Sequence, residues 1–145
     1  MAAVEAALLL PLALMLMLGI WEIGRMVQVG QILSTAAREG GRAASNGQNT
    51  NSQVQQIVLN YLQNAGLPST LATVTVNDLT NPGTDCTVAI ELDQLKVTVS
   101  LPFKAVRWSA ATLVTNSSTT LNATALFYSN NNQSYPANST VPAAY

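Results

Sequence analysis

Residues 1–25 read MAAVEAALLLPLALMLMLGIWEIGR, and Glu5 is the only charge before Glu22. As a helix, residues 1–21 span about 30 Å at roughly 1.5 Å per residue, the thickness of a bilayer's hydrocarbon core. Leu, Ala and Met dominate, all strong helix formers. Pro11 removes one rung of the hydrogen-bond ladder and predicts a local bend. A secretory signal has a basic first region and a small-residue cleavage site after a short apolar core. Here no Lys or Arg precedes Arg25 and the apolar character continues into WEIGRM, which argues against a removable signal.

Past Trp21 the apolar pattern changes period. Ile23, Met26/Val27, Gly30, Leu33, Ala36/Ala37, Gly40 and Ala43/Ala44 recur at three- and four-residue steps. Glu22, Arg25, Gln28, Gln31, Ser34, Arg38, Glu39 and Arg42 fall between them, the pattern of an amphipathic helix continuing the apolar one. No strong stop precedes SNGQNTNS, so one helix of about 65 Å is expected, ending near Ser45, with Gly40–Gly41 its weakest point. The chain thus divides into an apolar membrane or filament-core helix (1–22), its amphipathic continuation (23–45) and an α+β head with an Asn/Ser/Thr-rich tail (46–145).

Within the head, Val54, Ile57, Val58, Tyr61 and Leu62 repeat at helical spacing after N-capping residues at 49–52, and Gly66 with Pro68 closes this second, short helix. From Leu71 the period becomes two. LATVTV, CTVAIEL, LKVTVSLPF and TTLNATALFY (119–128) predict three or four antiparallel strands, with NPG at 81–83 turning between the first two. Asp93–Gln94 is either a tight turn or a bulge. The expected class is α+β, a small antiparallel sheet packed on helical surface.

Composition restricts function. Charged residues make up 9% of the chain against about 25% in an ordinary soluble domain, and the polar remainder is Asn, Ser, Thr and Gln, as suits an exported surface. A net charge of -1 offers no field for nucleic acid. With no His, Ser–His and Cys–His catalysis and the usual zinc sites are excluded. Cys86 is the single cysteine and reads as a buried free thiol. Asp78 and Asp85 flank a loop but lack the ligand count of a calcium site. No catalytic, cofactor or metal residue is predicted. Asn116, Asn122, Asn132 and Asn138 each open an N-x-[ST] triplet and are candidate glycosylation positions, although chance produces such matches in so Asn-rich a stretch.

AAVEAALLLPL, GIWEIGRM and TAAREGGRAAS, with VTVSLPFKAVRW further on, resemble the TadE-like pilin family of tight-adherence, type IV-related pilus systems. The family has Phe after the Glu, where this chain has Ala6. The resemblance implies a precursor cut by a prepilin peptidase four residues before the Glu, which makes Met1 the expected mature N-terminus. It also implies residence in the inner membrane before assembly, pilus assembly machinery as partner, and an extracellular adhesive filament as product.

The chemistry of Glu5 agrees. A carboxylate at membrane depth costs several kcal/mol unless neutralised. In parallel helices stepped by a few residues, Glu5 of one copy meets the Met1 amine of the next, and a misregistered pair leaves both charges unpaired. Ala2, Ala3, Ala6, Ala7, Ala13 and Gly19 permit close approach, and Met15 and Met17 fill gaps. Glu22 and Arg25 pair either within one helix or with a neighbour. Met1, Glu5, Glu22 and Arg25 are therefore the candidate assembly residues of a helical homopolymer. The alternatives are a minor or initiating pilus component, a monomeric membrane-anchored surface protein, and a module binding sugar or a surface through its polar loops.

Overall fold

A computed structural model describes residues 2–107 and 118–131, with side chains from residue 5 onward. Helix α1 runs unbroken from Ala2 to Ser45, through Pro11 and through Gly40–Gly41. Helix α2 follows at Asn51–Asn64. Three strands complete the described fold: β1 (Thr73–Asp78), β2 (Gln94–Pro102) and β3 (Thr120–Tyr128). They pair antiparallel in the order β1-β2-β3, with Val76 opposite Val97 and Val97 opposite Ala125. The class is α+β, as the sequence patterns predict.

The ends of α2 follow from local chemistry. Thr50 caps the N-terminus: its hydroxyl accepts from the Gln53 N–H while Gln53 Oε1 accepts from the Thr50 N–H, a reciprocal capping box. At the other end Gly66 takes φ +74, its N–H donates to Gln63 O at 3.0 Å and the Leu67 N–H to Leu62 O at 2.9 Å. That is a Schellman termination, which needs a residue tolerant of positive φ.

The core forms where three apolar patterns meet. From α1 come Val29, Leu33, Ala36, Ala37 and Ala44, and from α2 Val54, Val58 and Leu62 at four-residue steps. The sheet supplies Val74, Val76, Leu95, Val97, Val99, Leu101 and Ala125, one face of the pleat. A fully buried Leu or Val of this set contributes about 1.5–3 kcal/mol. Gly40 lets α1 approach closely: a Cβ there would stand 2.5 Å from Val58 Cγ2 and 3.2 Å from Val97 Cγ1. Among the described residues the opposite face of the sheet, which carries Thr75, Asn77, Thr98, Asn122, Thr124, Leu126 and Tyr128, is left uncovered.

One predicted strand does not form. CTVAIEL folds as successive turns, because its backbone groups are claimed by side chains from elsewhere in the chain. Asn131 Nδ2 donates to Thr87 O and to Ala89 O, both at 3.2 Å, and Asp93 Oδ2 accepts from the Ile90 N–H at 2.9 Å. Cys86 and Ala89 point inward while Val88 and Ile90 are exposed, so the alternation that resembled a strand is not the burial pattern. Leu92, at φ 70, and the Asp93 N–H bonded to Ile90 O make a tight turn into β2, which resolves the Asp93–Gln94 ambiguity in favour of the turn. The NPG turn is present, with the Thr84 N–H on Asn81 O and Gly83 at φ 94.

Candidate functional site

Helix α1 has two environments. From Leu8 to Ile20 its large apolar side chains are 42–74% exposed. From Glu22 onward one face is covered by α2 and the sheet, and the first residue covered is a carboxylate: Glu22 is only 5% exposed. The uncovered stretch is long and apolar enough to cross a membrane. Trp21, 53% exposed, marks the boundary between the two environments.

The boundary is knitted to the head by Arg25. Its Nε donates to Val106 O at 3.1 Å and its Nη1 to Gln28 Oε1 at 2.9 Å. Val106 follows a 3-10 turn, Phe103–Ala105, which is built on buried Phe103 and also carries exposed Lys104. Arg107 comes next, partly buried, with an Nη1 that is enclosed and has no hydrogen-bond partner among the described residues. Lys104 and Arg107 escaped the sequence reading. The fold brings Val106, which stands between Lys104 and Arg107 in LPFKAVRW, onto Arg25.

Of the predicted assembly residues, Glu5 is exposed on the uncovered part of α1, and Glu22 and Arg25 sit one turn apart at the head's base. Met1 lies outside the described residues. Arg38, Glu39 and Arg42 form a solvated face in which Arg42 chelates Glu39, with Nε on Oε2 at 3.2 Å. The hydrogen bond from Arg42, with its charge, holds the Glu39 carboxyl below the usual range and Arg42 above its own. Asn122 is exposed on β3, while Asn116, Asn132 and Asn138 lie outside the described residues.

The end of the head far from the apolar segment is a loop clamped by carboxylates. Asp78 Oδ1 accepts from the N–H groups of Thr80 and Asn81 at 2.8 and 2.9 Å, and its Oδ2 from the Thr84 hydroxyl at 3.1 Å. Asp85 Oδ2 accepts from the Asn51 N–H at 3.0 Å, while Asn51 Oδ1 accepts from the Cys86 N–H at 3.1 Å, tying the loop to the start of α2. Partial burial tends to raise the Asp85 carboxyl, but hydrogen bonds from Asn51, Thr87 and Cys86 outweigh it and hold it below its ordinary range. Cys86 is fully buried and its Sγ donates to Asn49 O at 2.8 Å. Burial, reinforced by the Asp85 charge, pushes the thiol up to about 11. These groups are occupied in holding the loop. Among the described residues no cluster of His, Cys, Asp and Glu has the arrangement of a metal site.

The geometry defines a class: a small α+β head on a long helix whose first half is apolar and uncovered. Residues 1–42 match the family model described as TadE-like protein, so over that stretch the chain is similar to that family, in line with its opening motifs. The match takes in the apolar segment, GIWEIGRM and AAREGGR, and stops before α2. No curated protein and no solved structure matches the chain.

Proposed function

We propose that this chain is a pilin-like structural subunit, held in the membrane by the first half of α1 and polymerised through it into an extracellular filament that serves attachment. A TadE-like N-terminus marks a Tad pilus-associated protein. The observation that carries the finer reading is the uncovered run from Leu8 to Ile20 on a helix continuous with the core of the head. Such a run requires an apolar surround. Lipid supplies it before assembly and parallel copies of α1 supply it afterwards. Because α1 is one rigid rod, packing its first half fixes the head on the outside. The sheet face turned away from α1 then forms part of the outer surface.

Electron microscopy of material sheared from cells producing the chain tests the reading. Regular fibres that label with antibody to the head support it. Cells that hold the protein in the membrane with no labelled fibre would reduce it to a monomeric anchored protein, and label at fibre tips alone would make it a minor component.

A further inference from the structure

The head's charges are unevenly distributed along its length, with Arg38, Arg42 and Lys96 toward the end that carries most of the carboxylates. Three of the chain's six Lys and Arg residues lie toward the end where the apolar half of α1 emerges: Arg25, bonded to Val106 O, and Lys104 and Arg107, which flank Val106 in the sequence, with Glu22 one turn before Arg25. Four of its seven carboxylates, Asp78, Asp85, Glu91 and Asp93, occupy the loop at the other end, where the Asn130 N–H reaches Ser45 O. Twenty residues of α1, about 30 Å, separate the two ends. Residues 108–117 and 132–145 contain no charged side chain and leave this distribution unchanged. The positive end lies one helical turn beyond exposed Trp21, at the level of a bilayer's headgroups.

We propose that Arg25, Lys104 and Arg107 form a basic collar that binds the phosphate of an anionic phospholipid while the subunit is in the membrane. Charge complementarity and depth select this occupant, because a cationic rim at the mouth of an apolar helix faces headgroup phosphates. Arg107 Nη1–H is enclosed and has no acceptor among the described residues, and a buried guanidinium N–H left unpaired is costly. The rest of that side chain is partly exposed, so a phosphate oxygen reaches the N–H by rotation of the long side chain, without opening the core. Arg matches phosphate with paired donors and Lys as a point charge, so the two act together. Arg25, whose Nε is held by Val106 O, fixes the collar's position relative to α1. The inference rests on the membrane-held stage of the proposed function and is independent of polymerisation.

The test uses the full chain in nanodiscs made of equal parts phosphatidylcholine and phosphatidylglycerol, with retained lipid identified by native mass spectrometry after release. Phosphatidylglycerol is expected to be retained preferentially. Lys104→Gln and Arg107→Gln are each expected to cut that preference about fivefold, the effect of one cation at a membrane surface. Lys104 is exposed, so its substitution leaves the fold intact and keeps the test decisive if the Arg107 variant misfolds. An unchanged preference in Lys104→Gln would overturn the proposal. So would a zero-length cross-link from Lys104 to a carboxylate of a second copy without phosphatidylglycerol enrichment, which would assign the collar to a protein contact. Failure to float even with phosphatidylcholine vesicles would remove the membrane-held stage itself, a result distinct from loss of lipid preference.

Discussion

The backbone of α1 at Gly41 lies directly against the Phe127 ring of β3, leaving no room for a Cβ between them: the added carbon would overlap Cδ2 and Cε2. Together with Gly40 against Val58 and Val97, this contact seats the helix on the sheet. The GG of AAREGGR, which reads as a weak point in a helix, is therefore the place where the helix is held most closely.

Gly41→Ala is expected to destabilise the head by about 1–3 kcal/mol, because the ring is rigid and must shift with its strand. Thermal unfolding of the detergent-solubilised chain, followed by circular dichroism, measures it as a Tm lowered by several degrees. Gly30→Ala is the control. No described atom lies within 4 Å of a Cβ there, and the substitution relieves glycine's helix cost of up to about 1 kcal/mol. A Gly41→Ala variant as stable as Gly30→Ala would show that the helix does not need this approach.

Asp78→Ala removes the acceptor for two backbone N–H groups and the Thr84 hydroxyl at once. Asp78 is buried while Thr80, Asn81 and Thr84 are exposed, so water replaces part of what is lost. The expected cost is about 1–3 kcal/mol, with the opening of residues 79–93 as its main form. Limited proteolysis checks this: cleavage within that loop should accelerate well before global unfolding.

This loop is also where sequence reasoning stopped. Both helices, β1, β2 and β3 were legible because their signals are local: a 3.6-residue period, the Thr50–Gln53 box, Gly66, and alternation in TVTV and KVTVSL. CTVAIEL has the same alternation, but backbone partners come from Asn131, Ser129 and Asn51, which lie 35–44 residues away for the bonds to Cys86, Thr87 and Ala89. No period within seven residues carries that information. The basic collar was hidden for the same reason, since Arg25 and Val106 are 81 residues apart. Glu5 was legible because a single carboxylate in an apolar run stands out without any fold.

Cys86 makes stability depend on alkaline pH. Its folded thiol ionises near 11, above the ordinary value of 9.0, so the folded state favours the neutral thiol. A group whose pKa rises on folding contributes fully below its unfolded pKa and loses that contribution as pH climbs to the folded one. The chain should therefore lose stability between about pH 9 and 11, more steeply than Cys86→Ala. Asp85 has the opposite sign: its carboxyl is lowered on folding, so its contribution is present at neutral pH and lost in acid, below the ordinary carboxylate value. Tm against pH for the wild type, Cys86→Ala and Asp85→Asn separates the two limbs. A wild-type curve flat from pH 9 to 11 would contradict the buried thiol. Native Cys86 should also resist thiol reagents at pH 8, where little thiolate forms.

Glu5→Ala separates anchoring from polymerisation. Glu5 lies near the start of a helix whose next sixteen residues are uncharged, where an unpaired carboxylate costs about 2.5 kcal/mol or more at bilayer depth. If membrane insertion were the segment's whole purpose, removing the charge would help or leave matters unchanged. In the stepped array of parallel helices expected from the resemblance, the carboxylate would instead neutralise the mature N-terminal amine of an adjacent copy, and its loss would leave that amine alone in low dielectric. Glu5→Ala is therefore expected to float with membranes as the wild type does, while its fibres in electron micrographs are absent or much shorter. Glu5→Asp keeps the charge on a shorter arm and should restore part of the length. Wild-type fibres from Glu5→Ala would remove the ion pair from the assembly mechanism, leaving apolar packing of Leu8 to Ile20 to set the register alone.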